Sequence, residues 1–88
     1  MRIHSDFTIQ KVGASYVAVP VGETSKTFHG MVRLNGTGAF VWKLMAERDC
    51  TEEELVEELL NTYEVDRATA EADIRRVIGI LKENGILV

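Results

Sequence analysis

The sequence lacks the features that mark exported or membrane-bound proteins. It has one cysteine in 88 residues, which excludes an internal disulfide framework and fits a reducing compartment. No apolar run approaches the ~20 residues of a membrane-spanning helix. The first residues, MRIHSDF, do not contain the apolar core of a signal peptide. These absences predict a cytoplasmic protein with no membrane partner.

The size and charge of the chain set further limits. A chain of 88 residues with 45% hydrophobic content is expected to form a single domain over residues 1–88, with residues 1–6 as a loose N-terminal tail. The net charge is −4, which argues against a general affinity for nucleic-acid phosphates. Residues 1–34 sum to +2 and residues 35–88 sum to −6, so the acidic character belongs to the second part.

Apolar periodicity predicts strands first and helices afterwards. Segments rich in β-branched residues predict strands at residues 7–12, 15–21 and 27–34. Helical periodicity predicts three helices. The first spans about residues 37–47, with Thr37 or Asn35 as its start signal, and the second opens with a capping box at Thr51. The third runs from about Asp66 to a stop at Asn84-Gly85. The predicted fold class is α+β, a three-stranded antiparallel sheet followed by three helices in a winged helix-turn-helix-like arrangement.

The residues that usually carry catalysis or bind metals are sparse and scattered. His4 and His29 are far apart, and no paired Cys/His spacing of a zinc site is present. Cys50 precedes a predicted helix, but acidic neighbours oppose its ionisation, so we interpret it as an inert thiol. The sequence therefore predicts no enzyme, no metal, no cofactor and no catalytic residue.

A winged-helix DNA-binding regulator is the alternative that the helices leave open. Its recognition helix would need basic or amide side chains directed at bases and phosphates. The third predicted helix has basic residues, but acidic residues offset them, and the run Glu52-Glu53-Glu54 makes the second helix strongly acidic. The electrostatics favour the prediction that nucleic acid is not a partner.

Three blocks of the sequence resemble the PqqD-like proteins. Leu34 to Trp42, LNGTGAFVW, is similar to the family segment LN-x-T-(A/G)-x-x-(I/V)-W. Thr51 to Leu59, TEEELVEEL, resembles the family's T-(V/x)-E-E-(I/L)-V-x-x-L helix. Residues 72–87 resemble its A-D-V…FL..L…G-(L/I)-(L/I) ending. The blocks occur in the family's order and spacing over about residues 15–88. One departure is Arg48-Asp49-Cys50, where family members usually have Asp-Gly.

The resemblance implies a peptide-binding adaptor, the recognition element for precursors of ribosomally synthesised, post-translationally modified peptides. In such proteins the leader of the precursor adds as a strand to the third strand, and its side chains enter a groove against the third helix. The adaptor then acts as a peptide chaperone that presents the leader to a modifying enzyme, often a radical SAM enzyme, in natural-product or cofactor biosynthesis.

The residues themselves indicate the same surface. The third strand of a meander is an edge, which is either protected or used for strand addition. On the third helix, Ile80 lies off the apolar stripe, beside charged residues. This position suits a shallow groove, and it also suits a residue that widens the core contact or is singly exposed. The expected peptide-binding residues are Phe28, His29, Met31, Val32, Arg33, Leu34, Asp73, Arg76, Val77 and Ile80. Pairing of third strands between two copies remains open, so we expect a monomer or a weak dimer.

Overall fold

The computed structural model describes residues 1–22 and 32–87. Its elements are β1 (Phe7–Val12), β2 (Ser15–Pro20), β3 (Val32–Leu34), α1 (Gly36–Glu47), α2 (Glu52–Thr62) and α3 (Arg67–Glu83). The predicted α+β class is confirmed: an antiparallel three-stranded sheet precedes three helices, as in winged-helix-like folds.

The sheet is a meander in the order β1-β2-β3. Gly13, at the turn between β1 and β2, has a φ of 62°, which glycine adopts without steric penalty. Pro20 is the last residue of β2 and pairs with Phe7, so its missing N–H lies at a strand end, where proline is tolerated. The predicted third strand began at residue 27, but residues 27–31 lie outside the described part of the chain.

Each helix begins at a residue whose side chain accepts a hydrogen bond from the first turn. Asn35 Oδ1 accepts from the N–H of Gly38 at 2.9 Å, which resolves the two predicted starts of α1 in favour of Asn35. Thr51 and Glu54 form the predicted capping box of α2. Asp66 caps α3, and hydrogen bonds from Thr69 hold the pKa of Asp66 below its ordinary value.

The core lies between the sheet and the helices, and all three helices contribute buried residues to it. Trp42 on α1 is 3% exposed, and α1 contacts both β2 and β3 as well as α3. The apolar stripe predicted for α3 is buried in full, with Ala70, Ile74, Val77, Ile78 and Leu81 facing inward. The density of apolar residues on α1 follows from this position, because neighbours surround that helix on several sides.

The N-terminal residues differ from the loose tail expected for residues 1–6. The backbone N–H of His4 donates to the carbonyl of Ile86 at 2.7 Å, and Ile3 forms an antiparallel bridge with Leu87. Ile86 is fully buried. These backbone hydrogen bonds tie the N-terminal residues to the segment after α3, a partner too distant in sequence for local patterns to indicate.

None of the helices within residues 1–22 and 32–87 is long and apolar enough to cross a membrane.

Candidate functional site

A cleft of about 250 Å³ lies between the edge of the sheet and α3. Residues from three places in the chain line it: Arg33, Leu34, Asn35, Arg76, Val77 and Ile80. The sheet and the helix therefore form opposite walls, and the turn into α1 contributes a polar corner. The walls are mainly apolar with charged groups at the rim, which is the composition of a ligand site.

The strand wall is the edge strand β3. Its residues Val32–Leu34 pair with Tyr16–Ala18 of β2, and no strand covers its opposite side among the residues that the structure describes. Val32 and Leu34 are buried, whereas Arg33 is exposed. An uncovered strand edge presents backbone N–H and C=O groups that a further strand can pair with.

The helix wall is the flank of α3 next to its core stripe. Val77 is 2% exposed and packs in the core, while Ile80 is only partly buried and packs against it. Arg76 is exposed, and one of its guanidinium nitrogens lies 3.6 Å from a carboxylate oxygen of Asp73. Ile80 is thus an apolar side chain that a bound peptide could cover further, beside a charged pair, as the helical pattern predicted.

The first turn of α1 fixes the position of the strand wall. A Cβ on Gly38 would lie 3.0 Å from the Cβ of Leu34 and 3.2 Å from its Cδ2. Only glycine lets the helix approach β3 this closely without displacing Leu34. The geometry of the cleft therefore depends on a residue that does not line it.

The two glycines of this turn give a matched test of that close approach. Gly36→Ala adds its methyl group in open space and is expected to stabilise the protein by about 0.5–1 kcal/mol, because alanine favours the helix. Gly38→Ala is expected to be about 1–2 kcal/mol less stable than Gly36→Ala, since the methyl group overpacks Leu34. Urea unfolding of both variants measures the difference, and equal stabilities would contradict the overpacking.

The structure brings together some of the expected site residues and separates others. Arg33, Leu34, Arg76, Val77 and Ile80 line one cleft. Val32 is directed into the core and Asp73 borders the cleft through its pair with Arg76, so neither belongs to the lining. Phe28, His29 and Met31 lie outside the described residues.

Asn35 lines the cleft, although the sequence predicted for it only a role at the start of a helix. Its position immediately after the edge strand was the signal available in the sequence. Its side-chain oxygen accepts the capping hydrogen bond, which leaves the amide NH₂ as a donor at the corner of the cleft.

Cys50 has the properties of a structural thiol. It is 2% exposed, and its sulfur lies 3.5 Å from the carbonyl oxygen of Arg48. Burial raises the pKa of the Cys50 thiol, although the charge of Arg48 opposes the shift. A thiol that stays protonated is a poor nucleophile. Over residues 1–22 and 32–87 there is also no group of three or more His, Cys, Asp or Glu side chains placed to hold a metal ion.

The fold and the cleft define a small binding domain, and comparison with known proteins assigns its family. The family model described as "Coenzyme PQQ synthesis protein D (PqqD)" matches residues 16–87. The match covers most of the chain, so the protein belongs to the PqqD family, as the three sequence blocks predicted.

Two solved structures share the fold over nearly their whole length. One is described as "TbiB1 in Complex with the TbiA(beta) Leader Peptide"; it has a TM-score of 0.73 and 25% sequence identity, and the alignment covers 99% of this chain and 94% of that one. The other, "Lasso peptide synthetase B1 complexed with the leader peptide", has a TM-score of 0.71 and 24% identity, with coverages of 99% and 95%. No curated protein matches the chain.

Proposed function

We propose that this protein is a non-catalytic adaptor that binds the leader of a ribosomally synthesised precursor peptide. The leader adds as a strand to the free edge of β3 and places side chains in the cleft against α3. Main-chain hydrogen bonds supply affinity, and the cleft fixes the register of the peptide. The adaptor presents the precursor to a peptide-modifying enzyme in the cytoplasm, with a radical SAM enzyme as the expected type.

The observation that carries this proposal is the combination of an uncovered strand edge with an apolar cleft beside it. Arg33 and Leu34 belong to that edge, and Val77 and Ile80 form the facing wall. A strand edge alone does not indicate binding, because an edge can simply be one that is protected against aggregation. The adjoining cleft adds pockets for alternate side chains, which recognition by strand addition uses for specificity. The family and the leader complexes of the two similar structures support the same use.

Ion pairs on α3 disfavour the winged-helix regulator. Arg67 pairs with Glu57, and Arg75 Nε lies 3.2 Å from a carboxylate oxygen of Glu52. These arginines thus face the acidic helix α2 instead of forming an uninterrupted basic surface. A phosphate backbone approaching α3 would meet the carboxylates of α2, so the electrostatic requirement for DNA binding is not met.

The test is an NMR titration of the ¹⁵N-labelled protein with the N-terminal segment of a short precursor peptide encoded beside its gene. Signals of Arg33, Leu34, Arg76, Val77 and Ile80 are expected to shift, because these residues line the cleft. New protection of β3 amides from hydrogen exchange is expected as well, since strand addition gives them partners.

A peptide of the same composition in scrambled order is the control for this titration. Shifts confined to α2 or β1, or equal shifts with the scrambled peptide, would contradict leader binding at the cleft.

Sedimentation without peptide tests whether the β3 edges of two copies pair with each other. A stable dimer that dissociates when peptide is added would show that both use the same edge.

A further inference from the structure

The cleft carries positive charge on a protein that is otherwise acidic. The chain has a net charge of −4, yet the charged residues that line the cleft are both arginines, Arg33 and Arg76. They stand on opposite walls, one on β3 and one on α3. Arg33 is exposed and forms no ion pair within the described part of the chain. Because the residue is exposed, a ligand can reach its guanidinium group.

Arg76 has a partner, but the contact is weak. The distance of 3.6 Å to Asp73 is too long for a good hydrogen bond, and the two side chains are 56% and 34% exposed. Exposed ion pairs of this spacing along a helix contribute little to stability. A ligand carboxylate that meets Arg76 with better geometry can share or replace Asp73 at little cost.

Between these two cations lies an apolar surface. Leu34 is 4% exposed and Val77 is 2% exposed, and Ile80 extends the surface towards the solvent. The amide of Asn35 adds a neutral donor at one end. The cleft thus combines an apolar surface with a rim of hydrogen-bond donors and positive charge. The apolar surface suits one side chain of an extended peptide, and the rim suits a second, charged side chain.

We propose that the cleft selects leader segments in which an acidic side chain lies close to an apolar one. The apolar side chain sits on Leu34, Val77 and Ile80, and the carboxylate is bound at the rim by Arg33, by Arg76 or by both. This inference rests on the proposed function, because it specifies which peptides the same cleft accepts. Guanidinium groups favour carboxylates through paired hydrogen bonds, whereas a lysine or arginine in the peptide would face like charge from two sides.

The charge distribution also restricts where an acidic leader can bind. The exposed surface of α2 carries a cluster of carboxylates that includes Glu53, Glu54, Glu57 and Glu58. Arg48 pairs with Glu54 and Glu58, and Arg67 pairs with Glu57, so the carboxylates of this cluster outnumber the cations that contact it. An acidic peptide is repelled from that surface and attracted to the cleft, so charge raises specificity more than affinity.

The experiment is selection of a displayed library of random 12-residue peptides on the full chain, read by sequencing. The wild type is compared with the double variant Arg33→Gln/Arg76→Gln and with Arg75→Gln. Arg75 lies on α3 outside the cleft, so its variant removes a positive charge without touching the site. Circular dichroism verifies folding; if the double variant is unfolded, the single variants Arg33→Gln and Arg76→Gln provide the same comparison.

Wild type and Arg75→Gln are expected to enrich Asp or Glu at a fixed spacing from an apolar residue. The double variant is expected to keep the apolar preference and lose the acidic one. For the most enriched peptide, a Glu→Gln change should weaken binding to wild type about threefold to tenfold, as expected for a partly exposed charged hydrogen bond, and should change binding to the double variant less than twofold.

The outcomes separate this inference from the proposed function. Apolar enrichment without acidic enrichment on wild type, or equal acidic enrichment on the double variant, overturns the inference and leaves peptide binding in place. If the wild type enriches no peptides beyond those that an Ile80→Gln variant enriches, the cleft does not bind peptides. That result overturns the proposed function at this site and the inference with it.

Discussion

Replacing Ile80 by glutamine is expected to weaken leader binding about tenfold to a hundredfold while the protein stays folded. Ile80 is partly buried in the free protein and lines the cleft, so a bound peptide removes its remaining apolar surface from water. Complete burial of such a side chain contributes about 1.5–3 kcal/mol, of which the surface still exposed on Ile80 supplies a part, and each 1.4 kcal/mol corresponds to tenfold in affinity. Glutamine has a similar length but must in addition desolvate its amide.

The matched control for this variant is Val65→Gln. Val65 precedes α3 and is 37% exposed. The Val65→Gln variant therefore also replaces an apolar side chain by glutamine, but outside the cleft. Isothermal titration calorimetry with the leader peptide measures both affinities, and urea unfolding verifies that both variants fold. If Ile80→Gln binds as tightly as Val65→Gln, the α3 wall does not contact the leader.

Replacing Trp42 by alanine is expected to destabilise the protein by about 3–5 kcal/mol, the range observed for large aromatic residues in cores. Trp42 is 3% exposed and belongs to α1, the helix that contacts both the sheet and α3. A domain of this size has a total stability of about 4–13 kcal/mol. The variant is therefore expected to be largely or partly unfolded at physiological temperature.

The comparison that separates packing from recognition is Trp42→Phe, which keeps an aromatic ring and loses less volume. It is expected to fold and to bind the leader with little change, because the indole does not line the cleft. Thermal unfolding followed by circular dichroism measures both variants, since the chain has no second tryptophan to report by fluorescence. A Trp42→Phe variant that keeps its thermal stability but fails to bind would assign the indole to the site instead.

Sequence patterns predicted those features of the fold that depend on residues close together in the chain. The capping box at Thr51 and the stop at Gly85, which has a φ of 68°, depend on residues within one or two turns. The stripe on α3 follows from helical periodicity, and so does the displacement of Ile80 from it. Five of the ten expected site residues line the cleft: Arg33, Leu34, Arg76, Val77 and Ile80.

The features that sequence patterns missed depend on distant partners. The bridge between Ile3 and Leu87 joins the two ends of the described chain, and no local pattern indicates which segments pair. Tyr63 has the helical spacing of the apolar face of α2 but is 46% exposed and packs edge-on against Phe40.

The corner at Asn35 has a consequence for how quickly and how tightly the protein can recognise a peptide. One residue both follows β3 and caps α1, and Gly38 holds the helix against Leu34. The described part of β3, Val32–Leu34, is therefore held by the core at its end next to α1. A leader that adds at this edge would need to order little of these three residues, which reduces the entropic penalty of association. Variants that loosen α1 should consequently shorten the lifetime of the complex, although no residue of that helix lines the cleft.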